Sequence, residues 1–368
     1  MGVSEAAPLG IAVLALLLVG GGAAAQDADD TRWVEATELG LEGQGWPDTA
    51  HPYGRLPAKA EGVVRPDVWG LAQDSAGFCA RFVTDARTIR ARWTLRSESL
   101  AMNHMPATGV SGLDLYTRLP GAQAWHWLGV GRPESVTNEA ILADGLPTEA
   151  REYLLYLPLY NGVASLSVGV PAGASLDPAP PRPPDRSRPI CCYGTSIVQG
   201  GCASRPGMAY PALLGRWLDR PVINLGFSGN AFAEPEVAAL LAELDPCVYV
   251  LDPLPNMSPE MVTERIGPFV RTLRAAHAET PIVLVESIEY QNAAVMPGSR
   301  SAYQTRNAAL RAVYETLQGE GLAGLHYVPG EPLLGGDGEG TVDGTHPTDL
   351  GFMRIAEALR PMLGKVLG

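Results

Sequence analysis

The stretch Ile190-Cys191-Cys192-Tyr193-Gly194-Thr195-Ser196 decides the fold of the second half of the chain. Its first four residues predict a short buried strand, and Gly194-Thr195-Ser196 follows where that strand would turn into a loop. Four further apolar runs lie at residues 222–225, 248–251, 282–285 and 326–328. Helical patterns alternate with them, at residues 209–218, 235–244, 259–278, 300–317 and 349–363. This alternation predicts a parallel α/β sheet with helices on both faces.

Two polar segments fall at the rim where such a sheet binds ligands, outside the carboxyl ends of its strands. Ser196 follows the first strand, and Asp343-Gly344-Thr345-His346 precedes the last helix. An acidic residue three positions before a histidine can orient its ring, and the other ring nitrogen can then take a proton from a serine. Taken singly, Ser196 and Asp343 also fit helix caps, and His346 fits packing beneath the last helix. Together they predict acyl transfer by an activated hydroxyl.

Acyl transfer also needs donors for the developing oxyanion, and two candidates follow the next strands. Gly229 closes the run Asn224-Leu225-Gly226-Phe227-Ser228-Gly229 and offers a backbone N–H without an obstructing side chain. Asn256 closes Leu251-Asp252-Pro253-Leu254-Pro255-Asn256 and offers a side-chain amide. The alternatives are a tight turn at Gly229 and a helix N-cap at Asn256.

The first half of the chain has a different pattern of apolar and polar residues. Residues 30–171 contain short runs of alternating apolar and polar residues, at residues 78–83, 88–93, 113–117, 153–157 and 166–170. Separated by Gly/Pro turns, these runs predict an antiparallel β-sandwich. Residues 172–189 read AGASLDPAPPRPPDRSRP, which predicts a stiff proline-rich linker. We therefore place one domain at residues 30–171 and a second at residues 190–368.

Composition and the N-terminus bear on partners and location. The chain of 368 residues has a net charge of −13 and no Lys/Arg cluster, which argues against nucleic acid and against a stable membrane partner. Residues 9–25 form an apolar run that ends in Ala23-Ala24-Ala25. This run predicts a signal peptide over residues 1–25 and export to the periplasm or the extracellular space. No Lys or Arg precedes it, so a retained anchor is the alternative.

Five cysteines, an odd number without zinc-type spacing, do not form a regular disulfide framework. Cys191 and Cys192 would point to opposite faces of a strand, and with Cys79 and Cys247 they fit a small-residue core role. Cys202 lies in a loop near Ser196, where pairing stays open.

Aromatic and polar side chains of the first half leave further alternatives open. Exposed tryptophans would suit stacking on sugars, but tryptophans in a sandwich are commonly core residues. Asn103 and His104 fit either the rim of the active site or a structural turn. The tryptophans in question are Trp46, Trp69, Trp93, Trp125 and Trp127.

The second half resembles the SGNH/GDSL hydrolase superfamily, which groups Ser, Gly, Asn and His from four sequence blocks. The resemblance implies a flavodoxin-like three-layer domain with Ser196 as nucleophile, His346 as base and Asp343 as the residue that orients it. The Ser196 N–H, the Gly229 N–H and the Asn256 side chain would form the oxyanion hole. Thr195 replaces the Asp of the usual first block, and the third block reads Asp-Pro-Leu-Pro-Asn in place of Gly-x-Asn-Asp.

The first half carries its own resemblance. Gly112-Leu113-Asp114-Leu115-Tyr116, preceded by Met102-Asn103-His104-Met105-Pro106, is similar to the GxDLY domain that precedes one branch of these hydrolases. That branch has the same Gly-Thr-Ser and Leu-Pro-Asn-Met sequence motifs. Its jelly-roll-like sandwich is also similar to the front domain of some two-domain carbohydrate esterases.

Together the resemblances imply a serine esterase that removes small acyl groups, such as acetyl, from a small-molecule or polysaccharide ester. They imply neither a metal nor an organic cofactor. Two rivals stay open: a short-chain lipid or phospholipid-type acylhydrolase, and a non-catalytic glycan-binding protein on the same scaffold. The oligomeric state cannot be read from the sequence.

Overall fold

The structure is a computed structural model that describes Gly2, residues 30–119 and residues 121–368. The predicted signal peptide, residues 1–25, thus lies outside the described residues except at Gly2. Among the residues that the structure describes, none of the helices combines the length and the hydrophobicity that a membrane span needs.

The front domain is a sandwich of two antiparallel sheets. One sheet has the order β1-β9-β4-β7, and the other has the order β10-β3-β8-β5-β6, with β2 pairing with β3. The strands are β1 Thr31–Glu35, β2 Leu41–Glu42, β3 Cys79–Thr84, β4 Ile89–Leu95, β5 Leu113–Arg118, β6 Trp125–Gly131, β7 Thr137–Ala143, β8 Arg151–Tyr156, β9 Val163–Pro171 and β10 Leu176–Pro178. Two short helices accompany them, α1 Pro66–Leu71 and α2 Ala107–Val110.

Alternation of side chains builds the sandwich core. Along β4, Ile89, Ala91 and Trp93 point inward and are almost fully buried. They meet buried residues of the opposite sheet, among them Phe82 and Leu115. The predicted antiparallel β-sandwich is therefore confirmed.

The second domain is a five-stranded parallel sheet between two helical layers, as predicted. Its strand order is β12-β11-β13-β14-β15, the flavodoxin-like order in which the direction of winding reverses at the first strand. The strands are β11 Ile190–Gly194, β12 Val222–Gly226, β13 Val248–Asp252, β14 Ile282–Val285 and β15 Leu325–Val328. The helices from the linker onward are α3 Pro184–Ser187, α4 Ser196–Gln199, α5 Tyr210–Leu218, α6 Pro235–Leu241, α7 Pro259–Ala276, α8 Pro297–Gly319 and α9 Asp349–Leu367.

Strand β11 shows how the three layers form. Cys191 and Tyr193 face the core beneath α6 and α7, whereas Ile190 and Cys192 face the core beneath α5 and α9. The prediction that the neighbouring cysteines point to opposite faces is confirmed. Because the strand is buried on both sides, a continuous apolar run is what its position requires.

The proline-rich segment 172–189 differs from a plain connector. Its residues Leu176–Pro178 form β10, which pairs with β3 at the edge of the front sheet. Proline is tolerated there because an edge strand leaves one row of backbone groups unpaired. Arg182 then donates hydrogen bonds to Glu42 of the front domain and Asp219 of the second. The segment is thus packed against both domains.

The Gly112–Tyr116 segment anchors the two domains to each other. Asp114 is fully buried on β5 and accepts hydrogen bonds from Arg205 Nη1 and from the backbone N–H of Gly207, both at 2.8 Å. Trp127 Nε1 donates to its other oxygen at 2.9 Å. Gly112 is required beside it, since a Cβ there would lie 2.5 Å from the Thr108 carbonyl oxygen.

We expect Asp114→Ala to lower the free energy of unfolding by roughly 3 kcal/mol, because it strands the charge of Arg205 and a buried N–H. Urea denaturation followed by tryptophan fluorescence measures this loss. The exposed Asp177→Ala is the matched control, and we expect a change of at most about 0.5 kcal/mol. Equal stability of the two variants would show that Asp114 does not anchor the interface.

Candidate active site

A chain of two hydrogen bonds joins Asp343, His346 and Ser196. Ser196 Oγ lies 3.0 Å from His346 Nε2. On the other side of the ring, His346 Nδ1 lies 2.8 Å from Asp343 Oδ2. The serine and histidine are 150 positions apart in the sequence, so only the fold brings them together. This order of carboxylate, imidazole and hydroxyl is the one that activates a serine for attack on a carbonyl.

Ser196 is held at the start of a single helical turn, α4. Thr195 caps this turn, its Oγ1 accepting the N–H of Ile197 at 3.2 Å. The threonine that replaces the usual aspartate of this block therefore caps with its hydroxyl. Gly194 permits the turn, because a Cβ there would lie 2.4 Å from both the Asp252 carbonyl oxygen and Val198.

Asp343 is fixed by its own loop. Its Oδ1 accepts the backbone N–H groups of Thr345 at 3.0 Å and His346 at 2.8 Å, which leaves Oδ2 for the imidazole. Burial works to raise the pKa of Asp343, but the hydrogen bonds from the backbone and ring of His346 outweigh it and hold the pKa below its ordinary value. The carboxylate is therefore charged at neutral pH and can stabilise a protonated His346.

Hydrogen bonds also tie the loop that carries Gly229 to α4, and the loop that carries Asn256 to the Gly229 loop. Gln199 Oε1, on α4, accepts the N–H of Ser228 at 3.0 Å, so it holds the loop that carries Gly229. Asn256 Oδ1 accepts the N–H of Ala231 at 3.3 Å, which orients its amide nitrogen away from that contact. Ser258, not Asn256, caps α7, since its side chain accepts the N–H of Met261.

Gly229 has a backbone φ of +68°, a left-handed conformation that favours glycine. A Cβ placed on it would find no atom within 4 Å, so glycine is not required by crowding within the protein. The turn alternative considered from the sequence thus describes its backbone, and an N–H in such a turn is also free to face a ligand.

Two residues of the front domain that the sequence analysis missed, the buried Arg55 and the partly buried Asp74, support the loops. Arg55 Nη1 donates to the carbonyl of Gly226 at 2.6 Å and to that of Asn224 at 3.3 Å. Asp74 Oδ2 accepts Gln199 Nε2 at 2.9 Å. Burial raises the pKa of Asp74 to about 6, against the pull of Arg55 and Gln199. Only the fold shows that these distant positions meet, and no spacing in the sequence signals it.

Three further side chains lie beside Ser196 and His346. Tyr160 donates its hydroxyl to the Ser196 carbonyl at 3.3 Å. The ring of His104 stands edge-on to that of His346, with 5.7 Å between centroids, and its backbone lies in a turn closed by Met102 and Met105. The structure therefore shows both sequence alternatives, the rim position and the turn. Burial, and secondarily Asp343, raises the pKa of Cys202 to about 12. Cys202 is therefore a thiol and not a thiolate at neutral pH.

All five cysteines are free, so the pairing left open for Cys202 does not form. Some of the tryptophans are core residues, and one, Trp127, is exposed. Trp46 and Trp93 are core residues, with 6% and 1% of their surface exposed. Trp127 is 50% exposed, with its ring nitrogen tied to Asp114.

Two family models match the chain. Residues 187–364 match the GDSL-like lipase/acylhydrolase family, and residues 31–176 match the GxDLY family, described as the N-terminus of SGNH hydrolase-type esterases. No curated protein shows significant similarity to the chain.

Solved structures give the same picture. A protein from Bacteroides ovatus described as a GDSL-like lipase is 37% identical, with a TM-score of 0.86, over 92% of this chain and 98% of that one. The salicylyl-acyltransferase SsfX3 from a tetracycline biosynthetic pathway is 21% identical with a TM-score of 0.74, over 92% and 98%. A family two carbohydrate esterase from Clostridium thermocellum is 14% identical with a TM-score of 0.61, over 89% and 99%.

One buried carboxyl near the site gives the protein a pH-dependent stability. Asp252 ends β13, four residues before Asn256, and accepts a hydrogen bond from the Tyr210 hydroxyl at 3.2 Å. Burial raises its pKa from 3.8 to about 8, against that hydrogen bond. Between these two values the folded protein holds a proton that the unfolded chain has released. The contribution of Asp252 to stability is therefore complete below pH 4 and falls by about 1.4 kcal/mol per pH unit until pH 8.

We expect Asp252→Asn to remove this component, since an amide has no proton to lose. Relative to wild type, its free energy of unfolding should rise by roughly 3 kcal/mol between pH 5.5 and pH 8.5. Urea denaturation at the two pH values measures the difference, with the exposed Asp177→Asn as control. Parallel pH profiles for Asp252→Asn and wild type would show that Asp252 is already ionised in the fold.

Proposed function

This chain belongs to the GDSL-like lipase/acylhydrolase family, and from that membership we propose that it is a serine esterase that removes acetyl or similarly small acyl groups from a carbohydrate. Its enzymatic class, acyl chemistry on carboxylic esters, comes with the family. The residue roles, the substrate and the export of the enzyme are our proposal. The observation that carries it is the pair of hydrogen bonds that links Asp343, His346 and Ser196.

In the first step, His346 Nε2 takes the Ser196 proton while Oγ attacks the ester carbonyl. A C–O bond forms, and the carbonyl π pair moves onto oxygen as a tetrahedral oxyanion. Asp343 keeps the ring in place and stabilises its protonated form. The oxyanion then re-forms the C=O bond, the bond between the carbonyl carbon and the leaving oxygen breaks, and His346 gives its proton to that oxygen. The alcohol leaves and the acyl group stays on Ser196. Water repeats the sequence and releases the acid and free enzyme.

The oxyanion is assigned to the Ser196 N–H, the Gly229 N–H and the Asn256 amide. Gln199 and Ala231 support the assignment, because their hydrogen bonds hold these blocks against α4 and against each other. A donor fixed before the reaction stabilises the developing charge without reorganisation at the moment of attack.

Three observations support an acylated carbohydrate as the substrate. Structures of the same two-domain fold include family two carbohydrate esterases, one of them in complex with cellohexaose. Trp127 presents half of its surface to solvent on the front domain, and such a ring is suited to stacking on a sugar. A polysaccharide substrate also fits an exported enzyme, the location that residues 9–25 predict. We propose further that the part of the proline-rich segment after β10, residues 179–189, separates two domains, of which the front one helps to present the substrate.

One observation favours the second candidate, a short-chain lipid acylhydrolase. Met102, Val342 and Leu350 lie within a few positions of His104, Asp343 and His346, and they are 38%, 46% and 45% exposed. Apolar side chains around an active site can contact an acyl chain or a lipid surface.

Removal of the proposed nucleophile should lower kcat more than removal of one oxyanion donor. We expect Ser196→Ala to lower kcat for 4-nitrophenyl acetate by about 10⁴-fold or more. We expect Asn256→Ala to lower kcat by about 10²–10³-fold with KM little changed. The exposed Ser301→Ala on α8 is the control and should retain full activity.

Circular dichroism establishes that each variant is folded. Wild-type turnover by Ser196→Ala would end the nucleophile assignment. A change in KM alone for Asn256→Ala would show that this residue does not serve the oxyanion.

The acyl group and the substrate class can be tested with one panel. We expect kcat/KM to fall from 4-nitrophenyl acetate to the octanoate, and acetate release from acetylated xylo-oligosaccharides to exceed acyl release from a dihexanoyl phospholipid. Ser196→Ala provides the blank for each substrate. A reversal of both orders would support the second candidate and contradict the carbohydrate proposal.

A further inference from the structure

Three side chains with nitrogen and sulfur donors converge beside the reacting serine. They are His104 of the front domain, Cys202 of the loop after α4, and His346. One ligand atom from each lies within 4.8 Å of those of the other two. No step of the proposed reaction uses a cysteine or a second histidine at this place.

The backbone holds these side chains in a defined arrangement. His104 sits in a tight turn in which Met102 and Met105 exchange two backbone hydrogen bonds, at 3.0 and 3.3 Å. Cys202 has a φ of +74°, a left-handed conformation that is strained for a residue with a side chain. It is only 6% exposed, so its sulfur is turned into the protein. Backbone strain of this kind concentrates at functional sites.

The donor set matches one class of ligand. Thiolate and imidazole are the ligands that Zn²⁺ and other soft or borderline divalent ions select, whereas Mg²⁺ and Ca²⁺ prefer oxygen. Bonds of about 2.0–2.3 Å to a tetrahedral ion would separate the donors by roughly 3.3–3.6 Å. The donor atoms, which all lie within 4.8 Å of one another, therefore need to approach by at most about 1.5 Å to bind one ion.

Asp343 supplies the hydrogen-bond acceptor that metal-binding histidines commonly have behind the ring. It holds His346 Nδ1 at 2.8 Å, so the lone pair that remains is on Nε2, the atom that faces Ser196. A carboxylate behind a histidine fixes the orientation of its ring as a ligand.

We propose that His104, Cys202 and His346 form a binding site for Zn²⁺ that reversibly switches the enzyme off. On binding, Cys202 releases its thiol proton to solvent, the two neutral imidazoles donate a lone pair each, and water completes the coordination. The lone pair of His346 Nε2 is then committed to the metal and cannot take the Ser196 proton. The loss of activity rests on the proposed function, whereas metal binding does not.

The test combines metal binding and inhibition. Co²⁺ serves as the spectroscopic probe, because a cobalt–thiolate bond gives a near-ultraviolet charge-transfer band. We expect this band in wild type and in Ser196→Ala, and its absence in Cys202→Ser. We expect Zn²⁺ to inhibit hydrolysis of 4-nitrophenyl acetate, EDTA to restore it, and Mg²⁺ to have no effect.

Inhibition is expressed relative to the metal-free rate of each variant. The Zn²⁺ concentration for half-inhibition should rise at least tenfold in Cys202→Ser and in His104→Gln, since even the hydrogen-bond partners of ligands contribute about 10- to 100-fold to affinity. Cys247→Ser, which alters another free cysteine outside the cluster, should match wild type.

Three results would overturn the proposal: no cobalt–thiolate band in wild type, the same band in Cys202→Ser, or equal Zn²⁺ sensitivity of Cys202→Ser and wild type. A cobalt band in a protein without esterase activity would support the metal site and contradict the proposed function, so the two failures are distinguishable.

Discussion

The hydrogen bond between Ser196 Oγ and His346 Nε2 is the contact on which the site depends, and the fold serves to hold those two atoms 3.0 Å apart. One belongs to the loop after β11 and the other to the loop before α9. Both loops open at the carboxyl edge of the parallel sheet, beside the strand where the direction of winding reverses. The same edge carries the Gly229 and Asn256 loops, so one geometric rule accounts for the position of all four blocks.

The front domain supports this edge directly. Arg55 binds the carbonyl groups that end β12, and Asp74 fixes Gln199, which in turn holds the N–H of Ser228. The guanidinium of Arg55 and the carboxyl of Asp74 are costly to desolvate. Their hydrogen bonds across the interface between the domains offset that cost only when the two domains are docked. The active site is therefore a property of the assembled chain.

Much of the fold could be predicted from the sequence, because it depends on the periodicity of apolar residues and on the Gly and Pro residues between the elements. Apolar runs of three or four residues gave the parallel strands, and alternation gave five of the ten sandwich strands, namely β3, β4, β5, β8 and β9. Strands β1, β6, β7 and β10 lie at sheet edges and β2 has only two residues, and none of these five was predicted. Strands β6 and β7 expose residues such as Trp127 and Ile141, which blurs the alternation. Local spacing also placed Asp343 beside His346. Arg55, Asp74 and the cluster around Cys202 could not be foreseen, because their partners lie in the other domain. The catalytic roles themselves stay predictions.

The most direct measurement of the central claim is covalent labelling with a fluorophosphonate, which reacts with a serine only where a base activates it. Intact-mass and peptide analysis after labelling should show a single adduct on Ser196 in the wild type. The adduct should be lost in Ser196→Ala and strongly slowed in His346→Ala. Labelling at another residue, or equal labelling of wild type and His346→Ala, would contradict the account.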